Sequence, residues 1–128
     1  MSKLQTVKNG NDLYSLEVPY SLQEQKIGTW IDGKIIYRKV IDLGTMPNKT
    51  SKDVTVNITD VQEITSVKAL CSNGNEIWTI PNAYSTNYVM GLVIRTFNKT
   101  ISNISIYSSS DASSFYGKAI LEYTKTTS

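Results

Sequence analysis

The chain has 128 residues, a formal net charge of +2 and no histidine, and its Ser, Thr and Asn outnumber its charged residues, which make up 19%. That length holds one domain with a single core. Small uncharged polar groups suit solvated strand faces and loops better than helices, where they compete with the backbone. The scattered basic residues argue against a nucleic-acid partner, the lone Cys71 forbids an intrachain disulfide, and no apolar run approaches the ~18 residues of a membrane span.

Residues 1–26 are polar and lack sustained periodicity. Leu13, Leu16 and Val18 stand isolated, Pro19 opposes a helix, and residues 1–10 lack the apolar centre of a secretory signal. They read as an N-terminal arm that docks on another subunit or another protein, or else as a disordered terminus.

Residues 27–41, I-G-T-W-I-D-G-K-I-I-Y-R-K-V-I, place two β-branched and aromatic runs around Asp32-Gly33. That is a strong hairpin signal, because a two-residue type I′ turn needs positive φ at both central positions. The pairing would set Ile31 against Lys34, Trp30 against Ile35, Thr29 against Ile36 and Gly28 against Tyr37. Trp30, Ile35, Tyr37 and Ile41 then share one face, and Ile27, Ile31, Ile36 and Val40 the other. A hairpin apolar on both sides is central to a sandwich or covered by a neighbouring subunit. Trp30, Ile31, Ile35, Ile36, Tyr37 and Val40 are therefore core or inter-subunit candidates.

Residues 44–52 form a loop. Residues 53–58 alternate, with Val54, Val56 and Ile58 on one face. Asp60 and Glu63 have capping-box spacing for one helical turn. Asn73-Gly74 marks a second hairpin, pairing Ser72 with Asn75, Cys71 with Glu76, Leu70 with Ile77 and Ala69 with Trp78. Cys71 itself reads as a small apolar strand residue. Residues 81–87 are a loop, and residues 88–96, Y-V-M-G-L-V-I-R-T, form a strand buried on both faces. Strand 101–107 follows, then a flexible tip over 108–114. The last strand, 117–124, turns Ala119, Leu121 and Tyr123 to one side. About eight strands and no useful helix define an all-β chain, an antiparallel β-sandwich with jelly-roll-like or related Greek-key topology over residues 27–128.

Without histidine, Ser-His-Asp and Cys-His nucleophile arrangements are absent, as is the commonest metal ligand. No phosphate-binding glycine loop or Cys-x-x-Cys pair occurs, so no catalytic residue, metal or cofactor is assigned. Two-carboxylate glycoside chemistry needs only a suitable pair of acids, but the acids here fall mostly at turns and strand edges. Four Asn-x-Ser/Thr triplets, at Asn48, Asn57, Asn98 and Asn103, occur in a chain rich in these residues and read as unmodified. Binding is the livelier option. Tyr84 and Tyr88 lie among Asn82, Ser85, Thr86 and Asn87, and Phe115 and Tyr116 follow a serine-rich tip. An aromatic platform beside amides and hydroxyls suits a sugar, so Asn82, Tyr84, Asn87, Tyr88, Phe115 and Tyr116 are ligand-binding candidates. Packing in the core or between subunits is the competing account of these rings, and Trp30 and Trp78 read as structural.

Tyr20 followed by S-L-Q-E-Q-K-I-G-T-W-I-D-G-K-I-I-Y-R-K resembles the opening Y-S-x-x-E-x-x-I-G-x-W-x-D-G-K-x-I-Y-x-K of a domain found in bacteriophage and prophage virion proteins. Residues 121–126, L-E-Y-T-K-T, resemble its ending. The resemblance implies a β-rich, homotrimeric, surface-exposed module of a head or tail fibre or other appendage, located on the virion surface and made in the bacterial cytoplasm. It supplies no ligand and no binding residues. The implied function is a non-enzymatic virion structural protein. From the residues rather than the resemblance, its partners would be other virion proteins, through the arm, and a host cell-surface glycan at the aromatic loops, with neither nucleic acid nor membrane insertion. A decoration or assembly module without ligand, and a carbohydrate-active enzyme, are the alternatives.

Overall fold

The computed structural model describes residues 5–9, 12–16 and 19–127. These residues form strands and no helix. β1 (Gln5–Asn9) and β2 (Asp12–Leu16) pair antiparallel in a sheet of their own. Two further sheets make the β-sandwich. β3 (Gln25–Thr29), β4 (Ile35–Thr45), β6 (Val61–Ser72), β7 (Ile77–Thr79) and β11 (Tyr116–Lys125) form one, in the order β3-β4-β11-β6-β7. β5 (Ser51–Ile58), β8 (Asn82–Ser85), β9 (Tyr88–Phe97) and β10 (Thr100–Ser108) form the other, in the order β5-β10-β9-β8.

Alternation decides which side each strand buries. On β11 the inward residues Ala119, Leu121 and Tyr123 are fully buried, and on β10 so are Ile104 and Ile106. Leu43, Met46, Cys71, Met90 and Ile101 complete the centre. Each such aliphatic side chain contributes about 1.5–3 kcal/mol on leaving water. The pairings β4 with β11 and β5 with β10 join early strands to the closing ones, as in a jelly-roll ribbon. The meander β8-β9-β10 then stays in one sheet instead of crossing between them.

Both hairpins form, with registers other than those expected. At the first, Trp30 N–H donates to the Lys34 carbonyl (2.8 Å) and Gly33 N–H to the Trp30 carbonyl (2.9 Å). Gly33 alone in this turn has positive φ, +87°. This is a type I turn closed by a left-handed glycine, with a three-residue loop. Trp30 therefore meets Lys34, and Thr29 meets Ile35. At the second, the Asn73 side chain accepts from the Asn75 and Glu76 amides, so pairing resumes only at Ser72 with Ile77 and Cys71 with Trp78.

Other expectations are corrected. Asp60 starts no helical turn; it takes φ +65° between β5 and β6. Of the arm expected over residues 1–26, residues 1–4, 10, 11, 17 and 18 lie outside the described residues. Its last part belongs to the sandwich: the Ser21 carbonyl accepts from Val40 N–H, and β3 begins at Gln25. The tip over 108–114 is pinned rather than loose, through Lys49 to Ser110, Ala112 to Pro47 and Ser109 to Val89 backbone bonds. β9 buries only one face within the chain, since Val93 is exposed on the other.

Candidate functional site

β7 and β8 are short edge strands, one in each sheet, and a cis Ile80–Pro81 peptide lies between them. Pairing with Cys71 turns Trp78 toward the gap between the sheets. There its ring lies 5.8 Å from Phe115, 6.2 Å from Tyr88 and 6.4 Å from Tyr84, centroid to centroid. Tyr84 and Tyr88 meet edge-on at 6.4 Å. These tilted and edge-to-face contacts are favoured ring geometries. The cluster walls a cleft of about 510 Å³ lined by Glu76, Ile77, Trp78, Asn82, Tyr84 and Tyr88. Tyr84 is 81% exposed, so its ring is presented rather than buried. Asn82 Oδ1, by contrast, is buried and has no hydrogen-bond partner among the described residues. An unmet buried acceptor is costly and rare.

Three of the expected ligand-binding residues, Asn82, Tyr84 and Tyr88, therefore share one cleft, and Phe115 backs it through Trp78. Asn87 does not line it; its amide bonds Ser85 Oγ and its carbonyl accepts from Ser109. Tyr116, 67% exposed, opens β11 opposite Ser72 and Thr45 and is not among the residues lining the cleft. Trp78, Glu76 and Ile77 were not expected here. The signal that was present is the brevity of E-I-W-T-I before a proline, which marks an edge rather than a core strand.

Among the core or inter-subunit candidates, Tyr37 is buried and stacks on Tyr123 at 6.1 Å, and Ile35 packs against the core. Trp30 is half-buried at the turn. Ile36 and Val40 are half-buried and share the parity of β4 that points away from the core. Ile31 is 92% exposed at the turn tip, so it is no core residue.

Two carboxylates organise the chain ends. Glu24 accepts from the Tyr123 hydroxyl (2.5 Å) and Lys125 Nζ (2.9 Å). Burial opposes its charge, but those two donors outweigh burial and hold its pKa below 4.5. The same arrangement, burial first and the Glu24 bond second, pushes the Tyr123 phenol far above its ordinary value. Asp60 accepts from the Thr126 and Thr127 hydroxyls, which lower its pKa.

Chemically, the cleft offers flat π surfaces, the Asn82 side chain along its wall and one carboxylate, Glu76. Rings of this kind cover the C–H face of a sugar, while the carboxylate accepts its hydroxyl protons. Two-carboxylate hydrolysis needs a second acid, and none lines this cleft. Among the described residues no group of three or more Asp, Glu or Cys side chains could hold a metal ion. Comparisons with protein families, with curated proteins and with solved structures find no match for this chain.

Proposed function

We propose that the chain is a non-enzymatic bacteriophage or prophage virion protein, the homotrimeric β-sandwich head of a fibre or appendage, which binds host surface glycan in the Trp78–Tyr84–Tyr88 cleft. The phage context is supported by the resemblance at residues 20–39 and 121–126. Those two stretches meet in space: Glu24 of the opening holds Tyr123 and Lys125 of the ending, and Lys34 Nζ bonds the Thr126 carbonyl at 3.3 Å. Residues so tied are the ones a fold-defining motif would contain. The binding role rests on one observation, the exposed Tyr84 and Tyr88 rings gathered around Trp78 over a cleft that Asn82 also lines.

The homotrimer contact in this reading is the outer face of the five-stranded sheet. Tyr20, Val40, Leu70 and Ile120 there line an apolar groove of about 290 Å³. The N-terminal arm would join other virion proteins. A host-polysaccharide microarray tests the binding role. The wild type should bind a subset of polysaccharides, and Tyr84→Ala should weaken that binding about tenfold, from the loss of one stacked ring. Binding to no polysaccharide would instead favour a decoration module whose aromatics pack between subunits.

A further inference from the structure

We propose that the outer face of the four-stranded sheet carries a second saccharide site, fitted to a neutral pyranose with adjacent hydroxyl groups. A groove of about 600 Å³ runs over this face, and its lining includes Asp53, Gly91, Val93, Arg95, Ser105 and Tyr107. It shares no lining residue with the aromatic cleft, so it stands whether or not that cleft binds sugar.

The register sets these side chains in rows across β5, β10 and β9. Asp53 lies beside Ser105 and Ser105 beside Val93; Ser51 lies beside Tyr107 and Tyr107 beside Gly91. Neighbouring strands are about 4.8 Å apart, so each three-strand row is about 10 Å across, room for one sugar ring and its hydroxyl groups. Arg95 Nε donates to Ser105 Oγ (2.9 Å), and Ser105 Oγ donates to Asp53 Oδ1 (2.6 Å). The relay fixes both charged groups by one atom each. The terminal guanidinium nitrogens and the second carboxylate oxygen have no partner among the described residues. One donor fork and one acceptor, held on either side of Ser105 with cancelling charges, match a pair of vicinal hydroxyls: one accepts from Arg95, the other donates to Asp53. A carboxylate or phosphate would face Asp53, which selects a neutral sugar.

The apolar half of the site lies along the same groove. Tyr107 is 48% exposed and stands between Ser51 and Gly91. A Cβ built on Gly91 would meet nothing within 4 Å, so a notch opens beside the ring. Val93 is exposed next to it. Ring, notch and valine supply a surface for the C–H face of the sugar.

Nuclear magnetic resonance of the ¹⁵N-labelled full chain, titrated with the methyl glycosides of glucose, galactose, mannose and N-acetylglucosamine, tests this. At least one glycoside should move the Gly91, Val93, Ser105 and Tyr107 amides saturably. Gly91→Val fills the notch, its Cβ meeting nothing within 4 Å, and should abolish that response while the dispersed spectrum shows that the fold persists. Arg95→Met should abolish it too, and Arg95→Lys should weaken it several-fold because the fork is lost. The Trp78 indole signal reads the aromatic cleft separately, so silence there with a responding groove would sink the cleft and leave this site standing. No saturable movement with any of the glycosides, or movement unchanged in Gly91→Val and Arg95→Met, overturns the proposal.

Discussion

Glu24 links the first stretch of the sandwich to the last strand, and its chemistry makes the fold sensitive to acid. A carboxyl whose pKa is depressed in the folded state adds stability above its unfolded pKa and loses it as pH falls through the folded value. Asp60, lowered by the Thr126 and Thr127 hydroxyls, acts in the same direction. Urea unfolding should thus show stability lost between about pH 5 and pH 2, and Glu24→Gln should flatten that slope while lowering stability near neutrality. Tyr123 works at the other end: its folded pKa is raised, so stability is retained up to about pH 10 and falls above it, where the unfolded phenol ionises first. Among single residues, the burial of Cys71 and the closeness of Asn82 to Tyr84 and Tyr88 were legible in the sequence, because local alternation and loop composition report them. The role of Glu24 was not, since its partners lie at Tyr123 and Lys125.

At the scale of elements, the strands were legible and their registers were not. Asp-Gly suits both a two-residue loop and a type I turn ending in a left-handed glycine, and neighbouring residues choose between them. Here the Asp32 carboxylate takes the Lys34 amide at 3.0 Å, which favours the longer loop and shifts the pairing by one. Asp60 misled for a related reason: spacing suggests a cap, but distant threonines claim the carboxylate. The centre of the five-stranded sheet is tight at one point. A Cβ on Gly117 would lie 2.5 Å from Met46 Cε and 3.3 Å from the Leu70 carbonyl oxygen. Gly117→Ala should therefore cost about 1–3 kcal/mol in chemical denaturation, as overpacked cores do. In a double-mutant cycle, Gly117→Ala should cost less in a Met46→Ala background than in the wild type, because the side-chain half of the clash is then gone.

For the whole molecule, the two-layer architecture follows from many short alternating segments without helical period. The expectation that β9 is covered on both faces came from its unbroken apolar run. Within the chain its outer side instead floors the Asp53–Tyr107 groove, and no periodicity separates a strand covered by its own chain from one awaiting a ligand or a neighbour. Assembly belongs to this scale as well. Light scattering on the full chain should give three times the monomer mass of 14.3 kDa, and Leu70→Glu should return it to monomer by burying a charge in the apolar contact. A monomer in the wild type would refute the trimer contact for the isolated chain.

The sheet margins have a consequence of their own. β7 and β8 are only 3 and 4 residues long, β3 is irregular between Lys26 and Gly28, and on β5 Lys52 folds its ammonium onto the Leu43 and Thr45 carbonyls (both 2.8 Å). Short, kinked or lysine-bearing margins give a foreign strand little backbone to pair with. Crowded in many copies on one surface, as the proposed role requires, such a sandwich would resist zipping into amyloid-like ribbons at these margins.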